Sequence, residues 1–287
     1  MTQALQTRTR DLADNANAHE RDAVVLLAGQ DMDAPRAFQV PNGKVVAYTR
    51  CAPGKAKGNE DSAAIIPMDD QRLVLAVADG LGGQPEGASA SRIALQALID
   101  TLNEVEDTPE ALQQAILAGI EEGNRQVLTL GSGAGTTLTI AAVIGNTLRH
   151  YHVGDSTLLL MGQRGKVKHQ TVAQSPVGIA LAMGVLSEQE AMFHPQRHLV
   201  SNVIGNAQLQ VAVSLPVKIA RRDRLLLATD GLMDNFFERE VIDAIRTGDT
   251  VEASEELISS CRERMSRQSS GTPGKPDDLT FLIYHRD

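Results

Sequence analysis

The chain has no tryptophan, and aromatic residues make up only 3% of its 287 residues. Base-stacking platforms are built from such rings, so a nucleic-acid stacking surface is not expected. Positive charge is also short: 27 Lys and Arg stand against 36 Asp and Glu, a formal net charge of -9. A nucleic-acid partner would favour the opposite balance. No apolar run reaches the roughly 20 residues of a membrane span. The N-terminus lacks an apolar signal core, so an exported chain is not expected. Cysteine is scarce. Cys51 and Cys261 are far apart and form neither a metal-type pair nor a disulfide framework, which suits a reducing compartment and a cytoplasmic protein. Cys261 falls on the apolar face of an expected helix with Leu257, Ile258 and Met265, as a small core residue does.

Hydrophobic residues, at 42%, are plentiful enough for a sizeable core. Residues 1–35 are polar and weakly patterned, and we read 1–40 as an N-terminal extension and 41–287 as one domain. Strand-like segments are expected at 44–51, 62–67 and 72–78. The last, "RLVLAVA", is continuously apolar, as in a strand covered on both faces. Helices are expected over 86–104 and from Thr108, where Pro109 in the first turn is an entry signal. Strands follow at 137–144, 147–153, 156–161 and 165–170. Residues 171–208 look irregular, with one short helix at 187–192. Strands at 210–219 and 223–229, a helix at 250–267 and a strand at 279–285 complete the order. Consecutive hairpins favour antiparallel pairing over a doubly wound βαβ arrangement, and predict two packed sheets with helices outside.

Acids mark the strand ends. "LVLAVADGLGG" and "RLLLATDGLMD" each run a buried strand into Asp-Gly, placing Asp79 and Asp230 where a charge is unfavourable without compensation. Asp-Gly is also a common turn pair, so either alone is as well explained by a turn. Glu60 and Asp61 precede one strand, Asp155 sits at a hairpin tip, and Asp277 and Asp278 precede the last strand. Converging carboxylates repel one another and need cations. The donors are all oxygen, which selects Mg²⁺, Mn²⁺ or Ca²⁺ over Zn²⁺. Two such ions roughly 3.5–4 Å apart can bridge a hydroxide and clamp a phosphoryl group for in-line attack.

The segments "GNEDS", "VADGLGG", "GAGTTLTIAAV", "YHVGDSTLLL", "HPQRHLVSNVIG", "DRLLLATDGL" and "DDLTFLIY", in this order over about 44–285, resemble the metal-dependent protein phosphatases of type 2C. The resemblance implies an α+β fold, an α-β-β-α sandwich of two mainly antiparallel sheets with the metals in a cleft at one edge. It implies hydrolysis of phosphoserine and phosphothreonine in proteins with two Mn²⁺ or Mg²⁺ ions, opposing a serine/threonine kinase. By motif position Asp61, Asp79, Asp230 and Asp277 resemble the metal ligands, with the Gly80 carbonyl. Glu60 resembles a residue that orients bound water. Asp155 with Asp230 resembles the pair holding a third, weaker metal. Residues 171–208 resemble the variable flap that contacts substrate.

The chain departs from the pattern at several points. Ala56 stands where many members have a phosphate-gripping Arg; Lys55 and Lys57 flank it as candidate phosphate contacts, though as point charges without the guanidinium fork. In a glycine-containing loop both are equally at home as solvated turn residues. Leu81 replaces a His found in some members, Asp278 replaces an Asn, and Asn202 stands where an Arg is common. Ala56 leaves open a phosphoprotein-binding relative without turnover, and a hydrolase of small phosphate esters is a third possibility. "GSGAGTT" lacks the Gly-Lys-Ser/Thr ending of a P-loop and leads into a strand. His194 and His198 flank Pro195, which argues against a helical zinc pair. His150 and His152 share one strand face, as structural residues do. Ser156 beside Asp155 is expected to stabilise a turn.

Overall fold

The computed structural model describes residues 23–56, 58–81, 86–103, 105, 108–131, 133–267 and 271–286. Two antiparallel sheets lie face to face. The chain opens with β1 (Val25–Ala28), β2 (Arg36–Val40), β3 (Gly43–Arg50), β4 (Ser62–Pro67), β5 (Arg72–Ala78) and the short β6 (Gly80–Leu81). Two long helices follow, α1 (Glu86–Leu102) and α2 (Pro109–Leu130). Next come β7 (Gly135–Thr136), β8 (Leu138–Ile144), β9 (Thr147–Val153), β10 (Thr157–Met161) and β11 (Val167–Gln170). The segment α3 (Pro176–Ala182), α4 (Glu188–Met192), β12 (Ala212–Val213) and β13 (Val217–Lys218) leads to β14 (Arg224–Ala228). The chain ends with α5 (Asp230–Met233), α6 (Glu238–Ile245), α7 (Thr250–Ser266) and β15 (Leu279–Arg286).

The first sheet has the order β1-β4-β5-β8-β9-β12, with β13 also on β9; the second runs β11-β10-β14-β15-β3-β2. Strand β5 shows why its sequence is apolar without alternation. Leu73, Leu75 and Val77 join the apolar cluster shared with the second sheet. Val74, Ala76 and Ala78 join the cluster formed with α1 and α2. Both faces are therefore covered, and neither tolerates a polar residue. Helix α7 supplies the outer cover of the other sheet through Leu257, Cys261 and Met265. Thr108 accepts the Ala111 N–H at 3.1 Å and Pro109 occupies the first turn, so α2 begins where its sequence predicts.

The expected fold class is the one observed. Three local expectations need correction. Residues 25–28 and 36–40, inside the stretch read as an extension, pair with β4 and β3 and form an edge of each sheet. The signal of β2 is weak because it leaves Arg36, Ala37 and Gln39 exposed and so carries little apolar alternation, whereas β1 is a short apolar run, Val-Leu-Leu-Ala. The single strand expected at 210–219 is two dipeptide pairings on β9. Pro216 cannot donate to a ladder, and the Ser214 hydroxyl accepts the His150 N–H at 2.9 Å in the gap. Helix α3 lies in the region read as irregular, although Ser175 capping Gly178 N at 3.0 Å with Pro176 behind it is a start signal.

Candidate metal centre

The pairing of the strands brings distant acids to one edge. In the first sheet Ser62 pairs with Ala78, so Asp61 and Asp79 stand one residue beyond the same rung. In the second, Ala228 pairs with Phe281, and the Thr229 N–H donates to Thr280 O at 3.0 Å. Asp230 thereby leaves β14 beside the point where Asp277 and Asp278 enter β15. Asp155 comes in from the turn between β9 and β10.

Each backbone position is pinned. Asn59, 2% exposed, accepts the Asp61 N–H at 3.0 Å and donates to Thr49 Oγ1 and Gln30 O. The Asp79 N–H donates to Thr137 Oγ1, while Asp79 O accepts from Thr136 Oγ1 at 2.8 Å and Thr137 N at 2.9 Å. Ser156, expected to stabilise a turn, instead shares a 2.7 Å hydrogen bond with the distant Thr137 hydroxyl. Gly80 and Gly87 touch backbone to backbone: a Cβ on Gly80 would lie 2.2 Å from Gly87 O, and one on Gly87 would lie 2.5 Å from Glu60 Oε1. Only glycine lets the start of α1 lie against this edge.

Electrostatics shows the acids acting on one another. Burial raises the Asp79 carboxyl well above the usual range, and Asp230, Asp61, Asp277 and Asp155 raise it further. Asp61 is raised by burial and then by Asp278, against the hydrogen bond it accepts from Thr229 Oγ1 at 2.7 Å. Asp155 is pushed up to about 8 by burial, then by Asp230 and Asp234. Asp277 is raised by burial and by Asp230. Acids from five separate segments therefore oppose one another's ionisation, which is the clustering the sequence requires.

Two ammonium groups are held among these acids. Lys275 Nζ lies 2.7 Å from Asp230, 2.8 Å from Asp234 and 2.9 Å from Asp277. Lys55 Nζ lies 2.7 Å from Glu60 and 2.6 Å from Asp278. Burial alone would lower either ammonium; the carboxylates around it outweigh that and raise it. Lys55 thus neutralises a carboxylate pair here instead of standing free for a phosphate, and Lys57 lies outside the described residues. Asp278 suits its position better than an asparagine would. It accepts the N–H groups of Ala52 at 2.9 Å and Glu60 at 2.7 Å as well as the Lys55 ammonium, whereas an amide would turn a donor toward one of them.

Among the described residues, no three His, Cys, Asp or Glu side chains already stand as a closed ligand shell. The donors nonetheless fit hard divalent ions. All are oxygens, their mutual repulsion calls for positive charge, and Asp155 Oδ1 is buried with no hydrogen-bond partner. Asp61, Asp79, Asp230 and Asp277, with the Gly80 carbonyl, would hold such ions, and Glu60 and Asp155 line the same edge. Beyond Asn59, Thr136 and Thr137, four contributors escaped the sequence reading: Thr229, Asp234, Lys275 and Asn235, whose buried amide hydrogen-bonds the Lys275 backbone N–H and carbonyl. Asp234 and Lys275 carried a signal, being a further acid four residues after Asp230 and a lysine two residues before Asp277. Thr229 and Asn235 carried none.

Comparison with known proteins agrees with this arrangement. The chain is 26% identical over 237 residues to the serine/threonine phosphatase Stp of Listeria welshimeri, covering 80% of this chain and 90% of that one. It is 32% identical over 188 residues to the protein phosphatase PhpP of Streptococcus pneumoniae, covering 61% and 73%. Its structure is similar to that of the Mycobacterium tuberculosis serine/threonine phosphatase PstP/Ppp, with a TM-score of 0.68 and 27% identity over 85% of this chain and 98% of that one. The catalytic domain of PstP in complex with two manganese ions is similar at a TM-score of 0.66 and 25% identity, covering 92% and 99%. The model of the protein phosphatase 2C family matches residues 55–268. With three quarters of its length matched and its strand-end acids gathered at one sheet edge, the chain belongs to the protein phosphatase 2C family.

Proposed function

We propose that the acidic edge hydrolyses phosphoserine and phosphothreonine esters in proteins, with two Mn²⁺ or Mg²⁺ ions held by Asp61, Asp79, Asp230 and Asp277. The observation that carries this is the Asp79 carboxyl, surrounded by four other acids drawn from distant segments. Bound there, the ions supply an activated water and a clamp for phosphoryl oxygens. The protein's part is to hold the carboxylates in position. Thr229 Oγ1 fixes one oxygen of Asp61, and the Thr136 and Thr137 groups fix the backbone of Asp79. Glu60, tied to Lys55, orients water at the rim. Leu81 offers no proton to the leaving group, so the side chain after Asp-Gly takes no part in that step.

A cavity of about 600 Å³ opens beside Asp155, Asp230 and Asp234 under α3 and α4. Its lining combines apolar Val177, Met192 and Phe236 with charged Glu188, Arg197 and Glu238, a mixed surface that the residues around a phosphorylated side chain can meet. The substrate is then the product of a serine/threonine kinase. Both cysteines are free thiols, in keeping with a reducing cytoplasm. No helix among the described residues is long and apolar enough to cross a membrane.

The test is direct. Purified protein with Mn²⁺ should release phosphate from a phosphothreonine peptide, and EDTA should abolish release. Peptide binding without release would favour a non-catalytic phosphoprotein receptor, and faster turnover of metabolite esters than of peptides a small-ester hydrolase.

A further inference from the structure

Residues 175–200 supply one side of the cavity beside the acids. Val177, Met192 and Arg197 come from this segment, while Asp155, Asp230 and Asp234 line the cavity from the metal edge. Both ends of the segment meet at one side chain. Gln174 Oε1 accepts the Gly154 N–H at 2.8 Å and the Asn202 Nδ2 amide at 2.6 Å. The main chain of Gln174 repeats the link: its N–H donates to Gly154 O at 2.7 Å, and its carbonyl accepts the Ser201 N–H at 2.9 Å. A backbone N–H can only donate, so the oxygen of the Gln174 amide, not its nitrogen, occupies this point. Asn202 is itself held, donating to Gln210 O at 2.6 Å and accepting the Gln210 N–H at 3.2 Å. Two residues on, Ile204 and Thr136 exchange backbone hydrogen bonds of 2.8 and 3.1 Å.

The point to which the segment is tied belongs to the acidic edge. Gly154 precedes Asp155, and with a φ of 103° it lies flat on Thr137, where a Cβ would come within 2.6 Å of Thr137 Cγ2. Thr137 in turn accepts the Asp79 N–H. Farther along, the segment has a separate tie, Glu188 Oε1 accepting the Glu238 N–H at 2.6 Å. We infer that Gln174 is a positioning residue that sets residues 175–200 against the metal edge and so favours phosphoproteins over small phosphate esters. The inference rests on the phosphatase reading above. A phosphorylated residue in a protein brings its neighbouring chain into the cavity and needs both sides at a fixed spacing. A side that has to be ordered on binding subtracts from affinity. A small ester is held through its phosphoryl group at the acids and makes no such demand. The acids assigned to the ions keep their own supports, Thr229 for Asp61 and Thr137 for Asp79, so losing the Gln174 oxygen leaves them in place.

Steady-state kinetics of the full-length protein at saturating Mn²⁺, on a phosphothreonine peptide and on p-nitrophenyl phosphate, separate the two demands. Gln174→Met keeps the backbone bonds and removes the oxygen. It should raise KM for the peptide by about tenfold, the equivalent of one net hydrogen bond, and leave kcat and both constants for p-nitrophenyl phosphate within about twofold. Gln174→Glu keeps an oxygen between the two donors and should stay within about threefold of wild type on both substrates. Asn202→Asp turns an acceptor toward Gln174 Oε1 and Gln210 O, and should reproduce the Gln174→Met pattern from the other side of the bond. Cooperative thermal unfolding checks that each variant is folded; if Gln174→Met is not, the contrast of Asn202→Asp with Gln174→Glu decides. An unchanged peptide KM in the folded variants, or an equal loss on p-nitrophenyl phosphate, overturns the inference, and peptide hydrolysis by the wild type then leaves the phosphatase reading standing. A wild type that releases no phosphate from the peptide overturns both.

Discussion

Two corners of this molecule bury titratable side chains, and they solve the problem differently. At the metal edge, acids raise one another's proton affinity and lean on Lys55 and Lys275 for charge. At the other, His150, His152 and His169 meet where β9 faces β11. His150 Nδ1 and His169 Nε2 share a hydrogen bond of 2.7 Å, and His152 Nδ1 shares one of 2.9 Å with Thr139 Oγ1. Burial pushes His150 and His152 down to about 4, so both stay neutral near pH 7. Among the described residues, each corner also holds buried polar atoms without a hydrogen-bond partner, Asp155 Oδ1 and Asp234 Oδ2 in the first and His152 Nε2 in the second. The difference is that a histidine escapes the penalty by staying neutral. A set of acids at neutral pH escapes it only by keeping protons or taking up cations. Burial of ionisable groups alone does not mark a site; burial of like charges does.

The comparison is most easily broken at Asp79. Asp79→Asn removes the carboxylate at the centre of the set, and phosphopeptide turnover with Mn²⁺ should fall by about a thousandfold, as losing several kcal/mol of transition-state stabilisation implies. A variant with near-normal turnover would mean the acids are structural. Glu60→Gln should weaken Mn²⁺ affinity or turnover by roughly 10–100-fold, the usual effect of a residue behind the ligands. Titration calorimetry and steady-state kinetics would separate the two.

The third prediction uses pH to set the corners against each other. Asp155 has a folded value of about 8 against an ordinary 3.8, so in metal-free protein its contribution is present at acid pH and lost as pH rises toward 8. Above about pH 6.5, where the histidines are neutral whether folded or not, thermal stability of EDTA-treated protein should therefore fall toward pH 8, and Mn²⁺ should stabilise more strongly at the higher pH. The histidines run the opposite way. Their folded values of about 4 lie below the ordinary 6.5, so their contribution is full above 6.5 and lost as pH falls toward 4. With Mn²⁺ bound, the remaining pH dependence should be this acid-side loss. The smallest effect sharpens the contrast: His150→Leu should leave turnover within about twofold, change stability by about 1 kcal/mol, and flatten the acid limb. A large loss of turnover would tie the histidine corner to catalysis.

Much of this could be read along the chain. Strands β4, β5, β8 and β9 are continuous or alternating apolar runs with turn residues between them, and their bounds were legible to within a residue. Edge strand β2 was not, because a short strand with Arg36, Ala37 and Gln39 exposed resembles any polar segment; β1, Val-Leu-Leu-Ala, is apolar but only four residues long and follows a polar stretch. Asp61, Asp79, Asp230 and Asp277 were legible because acids at strand ends stand out. Lys275 carried only the signal of its place two residues before Asp277; its contacts with three aspartates appear only in the fold.

The sequence by itself determined the long central strands and the long helices, that the donors are oxygens, and that acids end the strands, since these follow from local chemistry and periodicity. Tertiary structure decided that those acids face one another, that Lys55 is spent on Glu60 and Asp278, and that Lys275 lies among three aspartates. Those outcomes depend on strand order and register across more than two hundred residues, and no local pattern encodes a distance between side chains brought together only by folding.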